Sequence, residues 1–323
     1  MLALVAQRAR HKGQHWLDMA RRLDAVAGLP VPAARPLPSP PVDRRPKKLS
    51  VTEVETLFRS PYDVYAKHVL GLRKLQPLGE QPDARERGSM IHEVFDRFVT
   101  AGHDFAAHDA HATLMRMAGE AFAGLDAIGE RRDIWLKRFE RAAHEWLGYE
   151  RMRDAVVTGR HAEISGVWEL PIGFTLTGKA DRIDELADGT LQILDFKTGS
   201  IPTPKSMKAF EAPQLLLEAA MARAGAFPGI PPAAISALTY IKIGLGPDAL
   251  TATPFKQRDG IDLPAAADEV ARRLQSHVAA LLMSDARPLA ARIRPDTTRR
   301  YRGDYDHLAR TDEWTIQAGE DEL

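Results

Sequence analysis

Asp195 and Lys197 interrupt the run Leu191–Ser200, LQILDFKTGS, which is otherwise apolar enough for a strand. On a strand, side chains two apart project to the same face. A carboxylate and an ammonium therefore stand together where burial favours Val or Leu. A second carboxylate comes from Gly178-Lys179-Ala180-Asp181-Arg182-Ile183-Asp184, and Asp188-Gly189 marks a hairpin turn between the two runs. A two-residue loop pairs Ala187 with Thr190 and sets Asp195 opposite Arg182. A three-residue loop, Ala187 to Gly189, pairs Leu186 with Thr190. It sets Asp195 opposite Asp181 and Lys197 opposite Lys179, gathering Asp181, Asp195 and Lys197 on one face. Opposed carboxylates repel across a hairpin, and a divalent cation between them reverses the sign of that interaction. The three-residue register is therefore the one a metal site needs. Such a metal polarises a phosphoryl oxygen and acidifies a bound water. The lysine orients that water or stabilises charge on a pentavalent transition state.

Composition narrows the metal. The 323 residues contain no cysteine, which removes disulfides, thiolate zinc sites, iron–sulfur clusters and cysteine nucleophiles. Carboxylates, imidazoles and carbonyls remain, ligands that suit Mg²⁺ or Mn²⁺. Lys+Arg and Asp+Glu are both 44, so net charge gives no nucleic-acid signal, although a local basic groove remains compatible with it. No apolar run is long enough to span a membrane. The N-terminus MLALVAQRARHK places its apolar part before its basic part, the reverse of a secretory signal, so a cytoplasmic location is expected.

Taken together, Gly178–Asp184 and Asp195-Phe196-Lys197-Thr198-Gly199 resemble the PD-(D/E)xK nuclease superfamily in its RecB-like form. The resemblance implies an α/β fold, a mixed central sheet flanked by helices, with a helical insertion or cap. It also implies a histidine on an upstream helix, matched by His92 in Gly88-Ser89-Met90-Ile91-His92, and a glutamine on the following helix, matched by Gln214. By resemblance the metal ligands are His92, Asp181, Asp195 and the backbone carbonyl of Phe196. Lys197 is the catalytic partner, and Gln214 positions the water or scissile phosphate. A tyrosine often stands four residues beyond that glutamine, where this chain has Glu218. Arg182 and Lys205 are candidate DNA-phosphate contacts, as is a cluster of Arg131, Arg132, Lys137, Arg138 and Arg141, with Lys208 near Lys205. Glu93, Asp96, His103, His108, His111 and His161 read as surface residues.

The resemblance extends over about residues 48–315 and is nearest to the C-terminal nuclease domain of AddB-type subunits of helicase–nucleases. Many such relatives carry four cysteines for an iron–sulfur cluster. Here Ser60 occupies the first position, so packing must tie the ends instead; Tyr62, Tyr65, Tyr301, Tyr305 and Trp314 are candidates for that tie, and ordinary core is their expected role. The implied activity is Mg²⁺-dependent hydrolysis of single-stranded DNA ends, on the 5′-terminated strand, beside an AddA-like helicase–nuclease in double-strand-break repair. The competing readings are a DNA-guiding scaffold that has lost catalysis and a free-standing CRISPR-associated exonuclease.

The elements that must hold these residues follow from periodicity. Residues 1–28 read as a helix with a stripe of Trp16, Leu17, Ala20, Leu23 and Val26, the remnant of a preceding domain. Residues 29–48 hold seven prolines and read as an extended linker, and 49–323 as the nuclease domain. Both segments suggest a piece of a longer protein. Ser50 and Glu53 form a capping box for a helix that breaks near Pro61 and restarts around Tyr62. Helices are expected around Ile91–Phe98 and over 131–156, the latter with Trp135, Phe139, Ala142 and Trp146 on one face. Two strands precede LQILDFKTG. Then come a helix with Pro213 near its first position and Gly225 at its end, a strand AISALTYIKIG, and a last helix PAAADEVARRLQSHVAALLM.

Overall fold

The computed structural model describes residues 11–25, 34–75, 84–123, 129–244, 249–255, 261–292 and 303–314. It divides the chain into two units, Met1–Pro36 and Leu37–Leu323. In the first, helix α1 (His11–Asp24) leaves Trp16 and Leu23 exposed at 60% and 83%, so the predicted stripe is not buried within its own unit. Val26 lies outside the described residues.

The second unit is built on a six-stranded mixed sheet. Its elements, in chain order, are β1 (Lys48–Ser50), α2 (Val51–Arg59), α3 (Pro61–Val64), α4 (Ala84–Thr100), α5 (Ala110–Ala121) and α6 (Gly129–Arg153). Then follow β2 (Val157–Leu170), β3 (Phe174–Leu186), β4 (Leu191–Lys197), α7 (Pro204–Lys208), α8 (Gln214–Arg223), β5 (Ile235–Ile243), β6 (Leu250–Phe255), α9 (Leu263–Leu281), α10 (Asp306–Ala309) and α11 (Thr311–Trp314). The order is β1-β3-β4-β5-β6, with β2 on the other edge of β3. The β1–β3 and β4–β5 pairs are parallel and the rest antiparallel.

Burial on both faces explains the apolar runs. Ile193 and Tyr240 pack with Leu57, Leu216 and Leu274 in one core, which draws on α2, α8 and α9. Leu194 and Ile241, one residue on, pack with Phe95, Phe139 and Trp146 in the other, which draws on α4, α5 and α6. This is the expected α/β architecture with a helical layer in front. The short strands β1 and β6 and helix α5 carry no strong periodic signal, and the sequence does not announce them.

The edge of β3 that faces β4 is shared. β1 takes Thr175–Thr177 and β4 takes Arg182–Glu185, leaving 178–181 without a ladder partner on that side. Beyond Leu194, β4 pairs only with β5. The opening between the diverging strands is where the acidic residues gather.

A third cluster joins the start of the domain to its end. Tyr62, Ala66, Ala291 and Ala309 are buried together, with Tyr65 and Tyr305 against them. Tyr305 donates its hydroxyl to the Leu72 carbonyl at 2.8 Å. Ser60, at the position of the missing cysteine, donates to Asp63 Oδ1 at 2.9 Å. Trp314 is outside this cluster and 38% exposed, and Tyr301 lies outside the described residues.

Candidate active site

The β3–β4 turn decides the site. Leu186 N–H donates to Thr190 O at 2.9 Å, and Gly189 N–H to Leu186 O at 2.8 Å. Gly189 sits at φ 78°, the left-handed conformation that a three-residue hairpin asks of its glycine. The ladder runs from Glu185↔Leu191 to Arg182↔Leu194, which is the metal-compatible register. Continued one step, it sets Asp181 against Asp195. The backbone ladder stops before that step, and the Asp181 carboxylate instead accepts the Phe196 N–H at 2.8 Å. Lys179 does not come to face Lys197. It pairs across the other edge with Ser165, and its ammonium forms an ion pair with Glu163.

Asp195 is 1% exposed, at the end of β4. Lys197 Nζ lies 2.8 Å from Asp195 Oδ2 and 3.0 Å from Oδ1, and Gln214 Nε2 donates to Oδ1 at 2.6 Å. Lys197 also donates to Gln214 Oε1 at 3.2 Å, closing a three-membered ring of contacts. Burial pushes the Asp195 carboxyl up to about 7 against the pull of Lys197, and the like charge of Asp181 adds to the rise. For Lys197, burial works downward, and the Asp195 and Asp181 carboxylates outweigh it to leave the ammonium above its ordinary range. So the ammonium is strongly held, while the carboxylate lacks the second full charge it needs. Asp195 Oδ2 has the ammonium nearby but accepts no hydrogen bond of its own.

Gln214 begins α8, with Pro213 as N-cap rather than first helical residue, while Gly225 at φ 71° follows the C-cap Ala224 as expected. One turn along, Glu218 fills the place where the resemblance expects tyrosine. It is 1% exposed and takes a 3.2 Å hydrogen bond from Gln214 Nε2. Burial first, then Asp195 and Asp181, raise its carboxyl well above the usual range, which favours the neutral acid.

His92 projects from α4. Its Nδ1 is 3.6 Å from Asp181 Oδ2, its ring centroid is 5.8 Å from that of Phe196, and the imidazole hydrogen-bonds the Phe196 backbone. Burial lowers its pKa, with Asp181 opposing, and the neutral imidazole is the ligating form. Gly88, one turn earlier, explains the Gly-to-His spacing. A Cβ there would stand 2.8 Å from Thr198 Oγ1, so the absence of a side chain lets α4 approach the end of β4.

The structure adds a residue. His92, Glu163 and Asp181 offer ligand atoms that all lie within 4.8 Å of one another. Glu163 is on β2, between the pairs Ala162↔Arg182 and Ile164↔Ala180, and so directly across from Asp181. The signal was present: Leu170 faces Phe174 around a three-residue loop, and the same register carried back along both strands reaches Glu163 and Asp181. Asp195 is not in this group of three, since its carboxylate is turned to Lys197 and Gln214. One imidazole, several carboxylates and nearby backbone carbonyls, with no thiolate, suit a hard or borderline divalent cation.

Arg182 is corrected. It is 1% exposed, with Nε donating to Asp184 Oδ1 at 2.5 Å and Nη2 to Glu150 Oε2 at 3.2 Å. Strand alternation turns it away from Asp181 and into a buried ionic network with Arg153 and Arg160, beyond reach of a phosphate. Asp96 is also corrected. Half-buried, it lines the cleft with His92, Glu163 and Asp181, although Glu93 is exposed as expected. Lys205 is exposed on α7. The side chains of Lys208, Arg131 and Arg132 lie outside the described residues. Lys137, Arg138 and Arg141 line a separate cavity of about 720 Å³ with His111 and His144, which takes His111 off the plain surface. That cavity holds none of the site residues. The cleft around Asp181 encloses only about 10 Å³. His161 pairs with Glu185 at 2.6 Å.

Comparisons with known proteins place the chain among its relatives. An uncharacterized protein of Rickettsia typhi is 30% identical over 184 residues, covering 54% of this chain and 21% of that protein. An ATP-dependent helicase/deoxyribonuclease subunit of Streptococcus equi subsp. zooepidemicus is 26% identical over 168 residues, covering 49% of this chain and 14% of its own length. Its counterpart in Streptococcus mutans is 27% identical over 176 residues, again 49% of this chain and 14% of its own length. The chain thus spans about a fifth or less of the length of these relatives. The sequence model of the PD-(D/E)XK nuclease superfamily matches residues 48–302, which take in β1 through α9 and every residue of the site. With the hairpin register, the helical histidine and the strand-end lysine all inside that match, the chain belongs to the PD-(D/E)XK nuclease superfamily.

Proposed function

We propose that this chain is the metal-dependent nuclease domain of an AddAB-type helicase–nuclease, hydrolysing single-stranded DNA ends, on the 5′-terminated strand, during double-strand-break repair. The observation that carries the reading is Lys197, held between Asp195 and Gln214 beside the His92–Asp181 pair. Nucleases of this superfamily use divalent metal ions. His92, Asp181, Asp195 and the Phe196 carbonyl would hold Mg²⁺ or Mn²⁺. When bound, such an ion supplies Lewis acidity to a phosphoryl oxygen and acidifies a coordinated water.

The chain's own residues do the rest. Lys197 presents an ammonium whose raised pKa keeps it charged, ready to orient the attacking water or offset charge on the phosphorane. Gln214 fixes it by hydrogen bonding Lys197 and Asp195 at once, and Glu218 fixes Gln214. The helicase setting is carried over from the Streptococcus relatives' names, and the AddA-like partner from the sequence resemblance. Retention of the whole group weighs against a scaffold without catalysis.

The test uses a blunt duplex with one or the other strand labelled, incubated with the purified chain, a helicase partner and ATP in Mg²⁺, Mn²⁺ or EDTA. Cation-dependent loss of the 5′-terminated strand is expected. Cleavage that survives EDTA, or loss of the 3′-terminated strand alone, overturns the corresponding part of the reading.

A further inference from the structure

We infer that Glu163 is a metal ligand of this site, and that Lys179 is the counter-ion it holds when no metal is bound. The inference rests on the metal-dependent reading above and adds to it a strand, β2, that neither the motif nor the superfamily resemblance supplied.

Three observations converge on Glu163. Its carboxylate is within 4.8 Å of a His92 nitrogen and an Asp181 oxygen, and those two atoms are equally close to one another. An imidazole and two carboxylates thus converge from three separate elements, α4, β2 and β3, in the arrangement a divalent cation stabilises. Second, Glu163 has φ 49° in the middle of a long strand, a conformation that costs a non-glycine residue free energy and that strand pairing alone does not ask for. The ladder keeps one register on either side of it, so the strain accommodates no inserted residue. It re-aims one side chain. Third, the ion-pair partner is replaceable. Lys179 is 58% exposed, while Glu163 is 25% exposed. A pair with its lysine in solvent contributes little to stability, so a divalent cation competes readily for the half-buried carboxylate. Lys179 stands two residues before Asp181 on β3, where its charge offsets the repulsion between Glu163 and Asp181 in the metal-free protein.

The ligand is a divalent cation of the Mg²⁺ or Mn²⁺ class, and the probe is Mn²⁺ itself. Mn²⁺ binding to the full chain is measured by electron paramagnetic resonance without DNA, for wild type, Glu163→Gln, Glu163→Gly, Lys179→Met and Asp181→Ala. Thermal melting reports folding. Glu163→Gln is expected to weaken binding about tenfold or more, in the range of a lost supporting group at a metal site. Glu163→Gly tolerates the left-handed backbone, so it stays folded and weakens binding equally. Lys179→Met removes a competing charge and binds at least as tightly as wild type. Glu163 variants that fold and bind within threefold of wild type overturn the inference. So does Lys179→Met binding as weakly as Glu163→Gln, because the pair would then act structurally. If wild type binds no Mn²⁺, the metal-dependent reading itself fails. If wild type binds, Asp181→Ala does not, and the Glu163 variants match wild type, only the role of Glu163 falls.

Discussion

Asp181 and Arg182 are consecutive in the chain, yet strand alternation sends one to the cleft and the other into a closed ionic network. Arg182→Ala removes a partner from Asp184 and Glu150, both fully buried. Arg153 and Arg160 still reach those carboxylates, so the expected loss is at the lower end for a broken buried pair, about 3 kcal/mol. Urea denaturation reads the loss, and single-stranded DNA affinity is expected to stay unchanged. A normal stability with weakened DNA binding would return Arg182 to the surface role that its motif suggests. Much of the site was legible because its decisive spacings are local. Asp195 and Lys197 are two apart on one strand, and one tight turn relates them to Asp181. Gln214, which the resemblance places on the helix after that strand, accepts a hydrogen bond from Lys197. Glu163 was missed because its proximity depends on a second hairpin register. Asp96 was misplaced because helix α4 turns more of its surface to the cleft than the apolar stripe Ile91, Val94, Phe95 and Phe98 suggests.

At the scale of elements, the site exists because two strands share one edge of β3 and leave a gap between them. β1 has only three residues and leads directly into α2, so the start of that helix bears on one wall of the gap. Ser50 Oγ accepts the Glu53 N–H at 3.3 Å, and Glu53 Oε2 accepts the Ser50 N–H at 2.9 Å, the capping box legible in the sequence. Lys67 Nζ and His68 Nε2 add contacts to Glu53 Oε1 at 2.6 and 2.9 Å. Burial alone would raise the Glu53 pKa, but the Lys67 and Ser50 hydrogen bonds outweigh it and lower it from 4.5 to about 2. A depressed carboxyl stabilises the fold above its unfolded value and loses that contribution as pH falls through its folded one. Wild type is therefore expected to exceed Glu53→Gln in melting temperature at pH 6, with the gap closing between about 4.5 and 2. A gap that is constant with pH would mean that the charge of Glu53 contributes nothing. β1 and β6 escaped the sequence reading for a related reason. Three and six residues are too few to show alternation, and their pairing partners are set by the rest of the sheet.

Across the whole molecule, the chain has no cysteine, and the two ends of the second unit meet through packing. Tyr62, Tyr65 and Tyr305 bring the segment after α2 against the segment before α10. Tyr305→Phe keeps the packing and removes the hydrogen bond to Leu72 O, so a loss of about 0.5–1 kcal/mol is expected, read by thermal melting, with cleavage unaffected. That packing must join the two ends was readable from the cysteine count, the tyrosines themselves reading as ordinary core. Their partners Ala291 and Ala309 were not readable, since small residues carry no long-range signal. Among the described residues no helix is long and apolar enough to cross a membrane. If the strand-end lysine serves catalysis and not DNA affinity, single-turnover cleavage of end-labelled single-stranded DNA across a Mg²⁺ titration separates the two roles. Lys197→Ala is predicted to cleave about a hundred- to a thousandfold more slowly than wild type at every Mg²⁺ concentration. Its DNA affinity should be nearly unchanged, because one charge is a small part of a multi-phosphate footprint. Wild-type rates in Lys197→Ala, or a rate loss matched by an equal loss of binding, would contradict the account.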